Sequence, residues 1–387
     1  MVFGGDRAMN HVGLVALGGA GWMGGANYIR GLAAAIRAAS PETNVSFVCG
    51  SHLLDDWRDS RPLIEVATHR SLLRRLLRPS PRLATTLTRS GVEFLYPVTY
   101  TSENNLGLPF PRTRQLGTRG WAGWVPDFQH RHMPEFFSAE EIAWRDDRIA
   151  RLVAEAPRVA FSSESAAADF RSFFPEHSAK ASVLTFATPP LDLPDAAPCD
   201  ADLPARFLLV CNQFWKHKNH QVIFDALRIL RTRGVTPSIL CTGKIEDNRD
   251  PAYIEKLRAE IRDNGLDAQV KLLGLIPRVQ QVALMRRAIA IIQPSLFEGW
   301  STIVEDARAL GRPCLLSDIA VHREQNPPGA HYFPARSAEA LADLIATAWA
   351  DWPGGPDRAA EDAARTRASE RLAEVGSHFL ALAAACR

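Results

Sequence analysis

A chain of 387 residues is longer than one hydrophobic core usually serves, which predicts two domains. Its 46% apolar and 23% charged residues are those of an ordinary globular protein and exclude disordered, collagenous and disulfide-scaffold classes. With 45 Lys and Arg against 43 Asp and Glu the formal charge is +2, so no global basic field points to nucleic acid.

In chain order, the first half offers an apolar run from His11 to Leu17, a Gly-rich turn, a helix from Ala26 to Ala39 and a strand Val45 to Cys49. Further strands are expected at Val92 to Tyr96, Trp121 to Val125, Arg158 to Phe161 and Ala181 to Leu184. A Pro- and Asp-rich stretch from Thr188 to Pro204 can continue neither a helix nor a central strand and is read as a linker. Beyond it, short apolar runs alternate with helical patterns. Phe207–Val210 precedes His220–Arg233, Ser238–Thr242 precedes Ala252–Asn264, and Val270–Gly274 precedes Val279–Arg287. Ile289–Pro294 then leads to Thr302–Leu310, and Cys314–Ser317 follows. Such alternation builds a parallel sheet covered on both faces. The expected organisation is therefore two Rossmann-like α/β domains, 1–187 and 205–357, around the 188–204 linker. The sheets would face an interdomain cleft, and the Ala-, Arg- and Glu-rich tail 358–387 would form a terminal helix crossing back to the first domain.

The cysteines at 49, 199, 211, 241, 314 and 386 include no C-x-x-C and no cysteine–histidine cluster at zinc spacing, so they read as free thiols in a reducing compartment. No apolar stretch reaches the ~18 residues of a membrane span, and no basic segment leads into a secretory core. The expected location is cytoplasmic, at most peripheral on a membrane face. The contact there would be the basic amphipathic Arg70–Arg82 stretch, which reads equally as a solvated arginine face.

Four stretches carry chemistry. Gly19-Ala-Gly21-Trp-Met-Gly24 fits the dinucleotide fingerprint between a strand and a helix, but the next strand ends without the acidic residue that would bind a ribose. What remains is a loop whose backbone can approach a ligand, leading to a helix start after Gly24-Gly25 that favours an anion. The bland alternative is a tight turn. Gln213, Lys216 and Lys218 follow the first strand of the second domain, where two lysines at a helix start suit a diphosphate. Glu298-Gly299-Trp300-Ser301-Thr302 and Glu305 put one carboxylate at a strand end, a helix N-terminus beside it, and a second carboxylate one turn in. Thr302-Ile-Val-Glu305 also fits a capping box, which would give Glu305 a purely structural task. The Pro126-Asp127-Phe-Gln129-His130-Arg-His132 stretch reads as a substrate-contacting loop, and its two histidines at i and i+2 fit no helical metal pair.

Lys218-Asn219, Leu273-Gly274, Pro294-Ser-Leu-Phe-Glu298-Gly299, Glu305-Asp-Ala, Gly311-Arg-Pro313 and Ser317-Asp318 through Glu324 together resemble the retaining glycosyltransferases of family 4, which have the two-domain GT-B fold. Gly24-Gly25-Ala-Asn-Tyr and Pro126-Asp127-Phe-Gln-His130 are similar to a subgroup of it. The resemblance covers most of the chain and is weakest from about 50 to 115. It implies a metal-independent, cofactor-free hexosyltransferase. The donor would be a nucleotide sugar, GDP- or UDP-linked, and the acceptor a glycan or lipid-linked saccharide, as in cell-surface polysaccharide or lipopolysaccharide assembly, mannosyl transfer included. By that similarity Lys218 would grip the diphosphate, Glu298 the sugar hydroxyls and Glu305 the ribose, while amides near Ser301 and Thr302 hold phosphate. Gly24 and Gly25 would close over the substrates, and His130 would contact the sugar near the reacting carbon.

Two positions depart from the family. Glu298 and Glu305 enclose one residue fewer than its paired glutamates, and Gln213 stands where it has an arginine, with Lys216 the replacement charge. A non-catalytic nucleotide-sugar-binding protein, and a nicotinamide-dependent oxidoreductase built on the glycine fingerprint, are the other readings.

Overall fold

In the computed structural model the described residues are 9–19, 23–66, 81–101, 117–191, 203–245 and 250–386. They divide into two compact units, Met1–Pro189 with Ser369–Arg387, and Pro190–Ala368. Most of the expected linker lies outside the described residues, as do Ala20–Trp22 of the glycine fingerprint and residues 70–80 of the basic stretch.

The first unit is a seven-stranded sheet: β1 (His11–Val15), β2 (Asn44–Gly50), β3 (Leu63–Val66), β4 (Phe94–Thr99), β5 (Gly120–Val125), β6 (Val159–Phe161) and β7 (Ala181–Val183). Their spatial order is β3-β2-β1-β4-β5-β6-β7, with every pairing parallel. Residues of β4, β5 and β6 are buried throughout. A parallel sheet covered on both faces needs that continuous apolar run rather than an alternating one. The helices are α1 (Met23–Ala39), α2 (Leu54–Trp57), α3 (Pro81–Arg89), α4 (Gln129–His132), α5 (Ala139–Glu155) and α6 (Glu164–Phe173). Ser138 and Ser163 cap α5 and α6 by accepting the amides of Glu141 and Ala166.

The second unit repeats the order with six strands: β8 (Leu208–Cys211), β9 (Ile239–Thr242), β10 (Val270–Gly274), β11 (Ile291–Gln293), β12 (Cys314–Ser317) and β13 (Ala330–Phe333). They lie β10-β9-β8-β11-β12-β13, all parallel. Around them run α7 (His220–Thr232), α8 (Tyr253–Asp263), α9 (Arg278–Arg287), α10 (Thr302–Ala309), α11 (Ala320–Gln325) and α12 (Ala338–Asp351). The order therefore reverses direction between β1 and β4 in one sheet and between β8 and β11 in the other, and ligands of open parallel sheets bind at such switch points.

Helix α13 (Arg358–Ala384) contributes to both cores. In the second unit, Arg286 of α9 donates from Nε to Glu361 Oε1 (2.8 Å) and from its terminal nitrogen to Oε2 (2.9 Å), both residues being buried. In the first unit, Gly376 lies so close to α1 that a Cβ would come within 2.0 Å of the Ala35 carbonyl oxygen. Phe379 is 0% exposed and meets the rings of Phe94 (5.9 Å) and Tyr96 (5.4 Å) edge-on. Phe379→Ala removes a buried aromatic from that junction and is expected to cost about 3–5 kcal/mol in urea unfolding. A loss under about 1 kcal/mol would mean that this end of the helix adds little to the core.

Candidate functional site

The carboxyl ends of β8 and β11 carry opposite charges that meet. After β8 the chain turns through a short 3-10 segment, Lys216–Lys218, and closes on Asn219 in the left-handed region (φ 56°). Asparagine tolerates that conformation, and its side-chain amide donates to the carbonyls of Pro294 (3.1 Å) and Ala335 (2.8 Å), which fixes the turn. Lys218 Nζ is thereby held 2.6 Å from Glu298 Oε1, with side chains 14% and 8% exposed. The same oxygen accepts from Ser295 Oγ (2.7 Å) and Gln293 Nε2 (3.0 Å). Gln293, the last residue of β11, also directs Nε2 at Asn212 Oδ1 (3.1 Å) and Ser301 Oγ (3.1 Å).

Burial pushes the Glu298 carboxyl up, but the Lys218 charge, His322 and the Lys218 and Ser295 hydrogen bonds outweigh it and leave it below its ordinary value. With the folded value depressed, the stabilisation is complete above the unfolded value of about 4.3 and drains away as pH falls through the folded one. The urea midpoint of the wild type is thus expected to fall more steeply than that of Glu298→Gln as pH drops from 5 to 3. Parallel curves would remove the ion pair from the stability account.

Beside this pair stands the N-terminus of α10. Its cap is Ser301, whose hydroxyl accepts from the Val304 amide, so Thr302 is the first helical residue and its neighbouring amide groups are open in the first turn. This corrects the expected capping box: Glu305 lies one position beyond the residue that could reach back to the cap. Glu305 is instead sealed, 2% exposed, accepting from Gln325 Nε2 (3.1 Å) and lying 3.3 Å from Arg308 Nε. Gln325 also accepts from the Ser301 amide (3.2 Å) and donates to its carbonyl (2.9 Å), so it secures the helix start from α11. The next residue, Asp306, is buried and paired with Arg278 of α9 at 2.6 Å.

Residues 200–367 match the family model described as "Glycosyl transferases group 1". The match spans less than half of the chain and lies in its second unit. The matched residues make up nearly all of the second unit, where Lys218, Glu298 and the α10 N-terminus are gathered. Among curated proteins, EpsF of Bacillus subtilis (strain 168) is 29% identical over 106 residues, 27% of this chain and 26% of EpsF. Among solved structures, Anabaena HepE in complex with UDP and glucose is 17% identical, covers 95% of this chain and 98% of its own, and superposes with a TM-score of 0.65. A glycosyltransferase from Rickettsia africae is 14% identical over 97% of this chain and 96% of its own, with a TM-score of 0.63. At such identities these likenesses establish the fold, a GT-B-like pair of parallel-sheet α/β units.

In these two units the expected residues fare differently. Gln213 and Gly299 lie half-buried in the loops after β8 and β11, Trp300 is buried, and Thr302 is half-buried at the helix start. Lys216 turns to Asp250 (2.8 Å). Gly24 and Gly25 form the first turn of α1 in the first unit. At Gly19, the start of the glycine fingerprint, a Cβ would stand 2.0 Å from Oδ2 of Asp56, an exposed side chain that can swing aside. His130, on α4, is 1% exposed with Nε2 3.0 Å from Asp146 Oδ1, and Asp146 also binds Arg131 Nε at 2.9 Å. Burial lowers the His130 pKa below the ordinary value against the pull of Asp146. Sequence reasoning gave no role to Gln293, Ser317, His322 or Gln325, although Ser317 and His322 stand in the 317–324 stretch that carries the family resemblance. Polar residues closing the apolar runs of β11 and β12 were the available signal for the first two. Among the described residues no group of His, Cys, Asp and Glu could hold a metal ion, and no helix is long and apolar enough to cross a membrane.

Proposed function

We propose that this chain transfers a hexose-type sugar, with retention, from a nucleoside-diphosphate sugar to a hydroxyl of a glycan or lipid-linked saccharide. The observation that carries this reading is the buried Lys218–Glu298 pair at the ends of the two switch-point strands, next to a helix N-terminus. An anionic diphosphate fits the open amides of α10 and the Lys218 ammonium, because both supply positive potential in a site of low dielectric. Glu298, once Lys218 is shared with phosphate, is a carboxylate suited to accept sugar hydroxyls. As the bond to the diphosphate breaks, positive charge develops on the sugar ring and negative charge on the leaving oxygen. A fixed carboxylate and a fixed ammonium act on those two charges without having to reorganise. HepE, a solved structure with the same fold, holds UDP and glucose, which favours a UDP-linked hexose over a GDP-linked one. EpsF is a relative over only a quarter of the chain, and its likeness supports a place in polysaccharide assembly to that extent.

The test is release of UDP or GDP from a panel of nucleotide sugars in the presence of glycan and lipid-linked acceptors, with the anomeric configuration of the product read by NMR. Acceptor-dependent release with retained configuration is expected. Tight donor binding without release across the panel would favour a nucleotide-sugar-binding protein. Absence of binding by any nucleotide sugar would overturn both readings.

A further inference from the structure

His322, on the short helix α11, has no exposed surface, yet one of its ring nitrogens has no partner. Nδ1 lies 2.9 Å from the Ser317 carbonyl oxygen, which can only accept, so the neutral ring carries its proton there. Nε2 is then a buried acceptor without a hydrogen bond, an arrangement that costs folding free energy and that an apolar side chain would avoid. The ring is also linked to the charged pair. Ser317 Oγ lies 3.1 Å from Nδ1 and donates to the Ser295 carbonyl at 2.6 Å, and Ser295 Oγ donates to Glu298.

The charged groups that act on His322 come from separate elements. Glu298, in the loop after β11, pulls its pKa up, Lys218, after β8, pushes it down, and burial, the largest effect, also lowers it. From β13, the Tyr332 hydroxyl donates to the His322 carbonyl, and the neighbouring Asp318 and Arg323 pair with each other at 2.6 Å. The balance at the ring therefore depends on where the Lys218 charge is spent.

We propose that His322 is a positioning residue that holds Glu298 through Ser317 and Ser295 and takes up a proton to balance that carboxylate when Lys218 is drawn to an anionic ligand. This rests on the diphosphate reading of the site above. The proton goes to the Nε2 lone pair, and the imidazolium so formed replaces the ammonium as counter-charge to Glu298.

The experiment is calorimetric titration of the full chain with UDP and with GDP at pH 6.5 and 8.5, in buffers of different ionisation enthalpy, which reads protons taken up per nucleotide bound. The nucleotide's own phosphate contributes equally to wild type and variant, so the difference between them is the signal. The wild type is expected to take up as much as one proton more than His322→Asn at pH 6.5 and no more at pH 8.5. Asparagine keeps a donor near the Nδ1 position but cannot titrate. Equal uptake in the two proteins overturns the proposal. Should His322→Asn not fold, wild-type uptake no greater at pH 6.5 than the nucleotide phosphate alone supplies overturns it as well. Failure of both nucleotides to bind would instead strike the diphosphate reading, a separable result.

Discussion

Glu298→Gln is expected to lower turnover by roughly 10²-fold or more, the scale set by losing one fixed electrostatic contact to a transition state. The amide keeps the shape and can still accept from Ser295, but it cannot answer the charge that grows on the sugar ring. Because the carboxylate acts on the transition state more than on the bound donor, the loss should fall on kcat with the donor KM little changed. The substitution also leaves Lys218, only 14% exposed, beside a neutral group. Adding Lys218→Met should therefore restore part of the stability lost by Glu298→Gln while turnover stays low, since breaking one side of a buried pair costs more than removing both. Measuring kcat and the urea midpoint on the same three proteins separates the two effects. Unchanged kcat in Glu298→Gln would remove this residue from the chemistry.

Arg286→Met is the second large effect, and it concerns stability alone. The bidentate pair with Glu361 is buried on both sides, so the variant leaves a carboxylate at 4% exposure without its counter-charge. A cost of about 3–5 kcal/mol follows, and for a unit of this size that lowers Tm by about 10 °C. Arg286→Met with Glu361→Leu should recover most of it, because the pair's own attraction is largely offset by its desolvation. If the single variant melts within about 2 °C of the wild type, the pair is not what fastens the start of α13.

Much of this was legible in the residues. Buried parallel strands must read as short apolar runs, so Phe207–Val210 and Cys314–Ser317 stood out and became β8 and β12. β3 and β13 did not, because edge strands carry half-exposed sequences: Leu63–Val66 includes an exposed Glu65, and Ala330–Phe333 an exposed His331. Lys218 and Glu298 were visible as charges just past strand ends, where little in the core calls for them. Their direct contact was not, since it spans eighty positions and depends on β8 and β11 being neighbours.

The failures are also instructive. Glu305 and Asp306 are adjacent on one helix turn, and only the fold shows that Gln325 seals the first while Arg278 binds the second. Lys216 and Lys218 differ by two positions in a tight turn, which sends one to Asp250 and the other to Glu298. Side-chain direction in irregular backbone is set by the turn geometry, and no periodicity in the sequence encodes it.

The amide nitrogen of Gln293 faces three oxygens, those of Asn212, Glu298 and Ser301, at 3.0–3.1 Å, but carries two hydrogens. At any moment one of the three goes without. The floor of the site thus offers three acceptors for two hydrogens, and a hydrogen bond can pass from one oxygen to another without moving the strand. Of the bonds that Glu298 accepts, the one from Gln293 is therefore the one that an arriving hydroxyl displaces most readily, while those from Lys218 and Ser295 stay in place.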